Sequence, residues 1–62
     1  MVRTINDEIL TLEEASRFLK LSKSTVYNLA QQKKIPANKI GRSWRFLRSY
    51  LITWLEHGAK IN

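Results

Sequence analysis

The apolar positions of this chain fall into short stretches, each with its own period. Leu12, Ala15 and Leu19 recur at i, i+3 and i+7 with Phe18 beside them, which is one stripe of a helix with 3.6 residues per turn. Just ahead, Thr11-Leu12-Glu13-Glu14 has the form of a capping box. Thr11 accepts from the amide three residues on, and Glu14 reaches back to the Thr11 amide. Glu13 and Glu14 also suit the positive end of the helix dipole. The spacing predicts a helix over about 12–19.

Val26, Leu29 and Ala30 form a second stripe at i, i+3 and i+4, with Ser22 as N-cap and Thr25 three residues on. This helix is expected to run to about Gln32. Only about three residues separate the two helices, and small Ala15 permits a close crossing. A helix-turn-helix fits so short a joint, with an ordinary helical hairpin as the other reading. Pro36 forbids continuation and biases Ile35 toward extended backbone. From Ala37 to Phe46 the pattern alternates around Gly41, which can supply the positive φ of a tight turn. A two-stranded hairpin follows, with Trp44 and Phe46 on the core face and Arg45 opposite. Two strands alone are marginal in water, so the hairpin must pack against the helices. Leu47, Leu51, Trp54 and Leu55 then lie at i, i+4, i+7 and i+8, the core stripe of a last helix over about 48–57. Gly58 is placed as the residue after its end, and His57 sits in the last turn. The predicted order is helix, helix, hairpin, helix: a mainly α domain with a small β-hairpin.

Residues 1–8 read as a polar lead anchored by little beyond Ile5 and Ile9, residues 9–58 as the domain, and 59–62 as a tail. At 62 residues with no cysteine, the chain is near the lower limit for a core without staples. The lack of cysteine fits a reducing cytoplasm. No apolar run reaches the ~18–20 residues of a membrane span, and Asp7 and Glu8 argue against a secretory leader.

Charge changes the picture more. Eleven Lys and Arg face five Asp and Glu, a net charge of +6. The acids are Asp7, Glu8, Glu13, Glu14 and Glu56, near the two ends. Between Glu14 and Glu56 stand Arg17, Lys20, Lys23, Lys33, Lys34, Lys39, Arg42, Arg45 and Arg48 with no acid among them. Charge that serves only solubility is usually mixed in sign. A basic, acid-free middle implies a positive field over one surface, for which the commonest polyanionic partner is nucleic acid.

The runs Leu10-Thr11-Leu12-Glu13-Glu14-Ala15, Leu21-Ser22-Lys23-Ser24-Thr25-Val26-Tyr27, Ile35-Pro36-Ala37, Ile40-Gly41-Arg42-Ser43-Trp44-Arg45-Phe46 and Leu51-Ile52-Thr53-Trp54-Leu55 resemble the excisionase-type, MerR-like winged helix-turn-helix DNA-binding family, in its order and with its gaps, over about residues 9–57. The resemblance implies that the second helix enters the major groove of duplex DNA and that the hairpin, as a wing, touches the neighbouring backbone or minor groove. Ser22 to Asn28 match the start of the recognition helix, and Gly41-Arg42-Ser43 match the wing tip. Two positions depart from the family pattern. Lys20 stands where glycine is usual in the turn, and a positive φ there costs of order 1 kcal/mol. Tyr50 stands where an acid is often found.

Opposite the second apolar stripe lie Lys23, Ser24, Tyr27, Asn28 and Gln31. Asn or Gln can pair with adenine through two hydrogen bonds, Lys can donate to guanine acceptors, and Ser can do either. Plain solvated surface is the other reading for Asn28 and Gln31; for Tyr27 it is a ring folded on the wing or core. Arg42 at the hairpin tip is the best wing candidate, able to follow a phosphate ridge or enter a narrow minor groove. Ser43 adjoins it, and Lys39 and Arg45 flank it on the solvent face as phosphate clamps. Thr25 either donates to phosphate or completes its own helix cap, with the cap favoured. Lys33 and Lys34 follow the second helix, where its C-terminus is reason enough for them; they, Arg17 and Arg48 are candidate phosphate contacts. Trp44 and Trp54 fit core stripes better than stacking platforms for bases.

Catalysis is not expected: the lone His57 has no Cys or Ser motif around it, Glu13 and Glu14 are explained by the capping turn, and only Gly41 and Gly58 could serve a phosphate loop. No metal, cofactor, small-molecule substrate or membrane partner is expected either. The leading expectation is sequence-specific binding of duplex DNA, as an excision factor working with a recombinase (an integrase) or further copies of itself, or as a small transcriptional regulator, located with the nucleoid. The other reading is a DNA-binding module of a larger regulator, whose last helix offers Tyr50, Ile52 and Ile61 as an interaction surface.

Overall fold

The structure, a computed structural model, describes residues 8–58. The predicted lead, apart from Glu8 itself, and the tail with Ile61 lie outside the described residues. The capping box forms: Thr11 N donates to Glu14 Oε1 at 2.9 Å, and Glu14 N to Thr11 Oγ1 at 3.1 Å. It starts α1, Leu12–Leu19. Ala15 is fully buried, and Leu12, Phe18 and Leu19 pack on the core. Buried Ser16 is satisfied because its hydroxyl donates to the Glu13 carbonyl at 2.7 Å.

Lys20 ends α1 with φ 59°, the left-handed conformation the sequence made costly at this position. Lys20 N donates to Arg17 O and Leu21 N to Ser16 O, which closes a Schellman motif around a lysine where glycine would be unstrained. Two residues later Ser22 caps α2, Lys23–Gln31, its hydroxyl accepting from Thr25 N at 3.1 Å. Val26, Leu29 and Ala30 are buried beneath it. The end of α2 repeats the device: Lys33 has φ 58°, with bonds from Lys33 N to Ala30 O and from Lys34 N to Leu29 O. Nothing in the local sequence marked this second left-handed lysine.

The hairpin consists of β2, Asn38–Ile40, and β3, Ser43–Leu47, with Ile40 opposite Ser43. Gly41 takes φ 63° in the two-residue turn, the position that glycine fills in a tight hairpin. Phe46 is buried and Trp44 half-buried on the helix side. A third strand was not anticipated. β1, Ile9–Thr11, pairs antiparallel with β3, making the order β1-β3-β2. It brings Leu10 opposite Phe46 and into the core. The fold is therefore a winged helix-turn-helix with a small three-stranded antiparallel sheet.

The last helix, α3, spans Arg48–Glu56. It has no side-chain cap at its start, where Leu47 stands. The residue just before β1 compensates: the Glu8 carbonyl accepts from Arg48 N at 3.0 Å. Leu51 is fully buried and Trp54 packs on the core, its indole N–H donating to the Lys34 carbonyl at 2.9 Å. That bond fastens α3 to the chain leaving α2. Leu55 corrects the predicted stripe, being 48% exposed; α3 is short and only its Leu51–Trp54 side meets the sheet and the α2 exit. Gly58, with φ 71°, closes α3 by donating to Leu55 O.

Candidate nucleic-acid interface

The exposed side of α2 carries two ridges at helical spacing. Lys23, Tyr27 and Gln31 form one, and Ser24 and Asn28 the next; all five are exposed. Their opposite neighbours Val26, Leu29 and Ala30 are held in the core, so burial on one side fixes which residues α2 presents on the other. Within the first ridge, Gln31 Nε2 donates to the Tyr27 hydroxyl at 2.6 Å. The Tyr27 ring is outside the core, 40% exposed, and lines the same cleft as the wing residues.

One cleft of about 430 Å³ brings the two predicted regions together. α2 contributes Lys23 and Tyr27, the wing contributes Arg42, Ser43, Trp44 and Arg45, and the start of α1 closes the floor with Thr11, Leu12 and Glu13. The register explains the wing wall. In an antiparallel ladder directly opposed residues share a face. Arg45 lies between Thr11 and Asn38, and Lys39 lies opposite Trp44. Lys39 and Arg45 thus leave the sheet on opposite faces, contrary to the shared solvent face expected of them. The Lys39 ammonium sits 5.4 Å from the centroid of the Trp44 ring, a cation–π distance. Arg45 Nη1 donates to the Trp44 carbonyl at 2.8 Å. Trp44 Nε1 is buried without a hydrogen-bond partner.

The other predicted residues are placed as follows. Thr25 is half-buried and its hydroxyl accepts from Ser22 Oγ at 2.8 Å, within the cap of α2. Ser22 and Ser24 hydroxyls lie 3.3 Å apart. Asn28 and Gln31 lie beyond the cleft on the exposed side of α2. Lys33 and Lys34 are exposed in the turn that ends α2. Arg48 stacks on Phe18 at 5.6 Å and does not line the cleft. Arg17 reaches the cleft only through Glu13, which it meets at 3.8 Å. Glu13 itself was read from sequence as a capping-turn acid, yet it also meets Lys23 at 4.0 Å. That contact crosses the helix-turn-helix joint, and no helical spacing encodes it.

A family model described as a helix-turn-helix domain matches residues 9–59. The chain belongs to that family. The match spans both helices, the wing and α3, so the winged helix-turn-helix is a DNA-binding module whose partner is double-stranded DNA. Comparison with curated proteins and with solved structures gives no match. Among the described residues no helix is long and apolar enough to cross a membrane, and no group of three or more His, Cys, Asp or Glu could hold a metal ion.

Proposed function

We propose that this helix-turn-helix domain reads a specific duplex site, with α2 in the major groove and the wing on the adjacent backbone or minor groove. The observation that carries the reading is the shared cleft, in which Lys23 and Tyr27 of α2 face Arg42, Ser43 and Arg45 of the wing. In this assignment Lys23, Ser24, Tyr27, Asn28 and Gln31 meet the DNA from α2, with the Tyr27 hydroxyl tied to Gln31. Arg42 and Arg45 meet phosphates or the minor groove, Lys39 supports the wing through Trp44, and Arg17, Lys33, Lys34 and Arg48 are outlying phosphate contacts. Residues 9–58 form the working unit. Its output is excision of a mobile element beside a recombinase, in company with further copies on DNA, or transcriptional regulation; no catalytic step is assigned to it.

Selection of bound duplexes from a random pool, followed by a salt titration of the winner, tests this. With about five phosphates contacted, log K falls against log salt with a slope near −4 to −5. Arg42→Ala flattens that slope by about one with the preferred sequence kept, while Asn28→Ala relaxes the preference at one base pair. Equal binding to every duplex by all three proteins removes α2 as the reading element.

A second reading is favoured by α3. Tyr50 and Leu55 are exposed, and Pro36, Tyr50, Thr53, Trp54 and His57 line an apolar groove of about 400 Å³ away from the wing. As part of a larger regulator, the domain would use this side to meet protein. Tyr50→Ala then disrupts assembly and leaves single-copy DNA binding intact.

A further inference from the structure

Glu13 is the one acid that lines the basic cleft among the described residues. Its neighbour Glu14 is accounted for by the capping box, whereas the Glu13 carboxylate turns the other way, 3.8 Å from Arg17 and 4.0 Å from Lys23. Its helix holds it there. Position 13 is in the first turn of α1, and the Glu13 carbonyl is bound by the buried Ser16 hydroxyl. Lys23 is the first residue of α2, so the contact depends on the turn closed at Lys20. All three side chains remain more than half exposed, so the pairs are loose and exchangeable.

We infer that Glu13 is a built-in counter-anion that occupies Lys23 and Arg17 in the unbound protein and holds down affinity for DNA. The inference rests on the DNA reading of the cleft. A phosphate approaching the cleft must take Lys23 and Arg17 from a carboxylate already in place, and that carboxylate repels it. Each contact held by Glu13 is one cation fewer available to the duplex without exchange. The structural role of Glu13 at the positive end of α1 is served equally by its neighbour Glu14; the position facing Lys23 is served by Glu13 alone.

The test compares the wild type with Glu13→Gln on a short duplex of scrambled sequence, across a salt series. Glutamine keeps the length of the side chain and removes the charge. Glu13→Gln is expected to bind roughly 3- to 10-fold more tightly at low salt, with a log K against log salt slope steeper by about one. The gain should therefore fade as salt rises. In a Lys23→Ala background the same substitution should give a clearly smaller gain, because one of the two cations it releases is gone. Thermal melting of each variant confirms that folded protein is compared. Unchanged or weaker binding by Glu13→Gln overturns the inference, as does an equal gain with Lys23 absent, which would mean direct repulsion of phosphate rather than occupation of the lysine. If neither wild type nor Glu13→Gln binds any duplex at low salt, the DNA reading of the cleft falls and the counter-anion falls with it.

Discussion

The α2 wall of the cleft is anchored along its whole length, whereas the wing wall is anchored only at its base. Under α2, Val26, Leu29 and Ala30 are all buried, Ser22 caps its start, and paired backbone bonds at Lys33 and Lys34 close its end. Along the wing, burial is deep at Phe46, partial at Trp44, and absent at the tip, where Ile40 is 65% exposed and Gly41, Arg42 and Ser43 are exposed beside it. A base edge is read only if donors and acceptors are held in fixed register, which suits a helix pinned to the core. Contact with backbone tolerates adjustment, which suits a hairpin tip free of core packing. The difference between the walls teaches that the depth of burial, not the presence of regular secondary structure, separates them, since both are built on regular elements.

Phe46 tests the shared foundation. It packs in the core and pairs with Leu10 across the sheet, so Phe46→Ala should cost about 3–5 kcal/mol, as large aromatic truncations do. In so small a domain that is enough to lose both walls in one transition, read by denaturant unfolding with separate probes for helix and tryptophan. Separate transitions would mean that the walls are independent. Gly41→Ala acts on the wing tip alone. An added Cβ meets nothing within 4 Å, so its cost is the left-handed backbone, about 1–2 kcal/mol. Faster amide exchange should then be confined to β2 and β3. Ser22→Ala acts on the other wall and should cost about 1 kcal/mol, with faster exchange at the Thr25 amide and none on the wing. Spread of either change across both walls would contradict the contrast between them. The smallest effect is a gain. Lys20→Gly removes a side chain from a residue with φ 59° and should stabilise by about 1 kcal/mol, raising Tm by about 4–8 °C.

The existence and limits of the helices could be read locally because their causes are local. The Thr11–Glu14 box, the Ser22 cap, Pro36 and Gly41 each act within a few residues, and the observed ends at Leu19, Gln31 and Glu56 lie within a residue of expectation. The left-handed turn at Lys20 was legible only through the family resemblance, which places glycine there. β1 was not. Ile9–Thr11 is too short to show alternation, and it is a strand because β3 offers it an open edge and Phe46 a partner for Leu10. Leu55 was misplaced because periodicity names a helical face without saying how wide a neighbour lies against it.

The amino-acid order alone established the charge of the middle segment, the four main elements and the candidate residues on α2 and at Gly41-Arg42-Ser43, since period, capping and turn chemistry act over a handful of bonds. Folding in three dimensions chose which of those residues meet. It seated Lys23 and Tyr27 across from Arg42, sent Lys39 and Arg45 to opposite faces, let Glu8 cap α3, and set Glu13 against Lys23. Such pairings depend on helix crossing and strand register, which are settled when distant apolar surfaces are buried together.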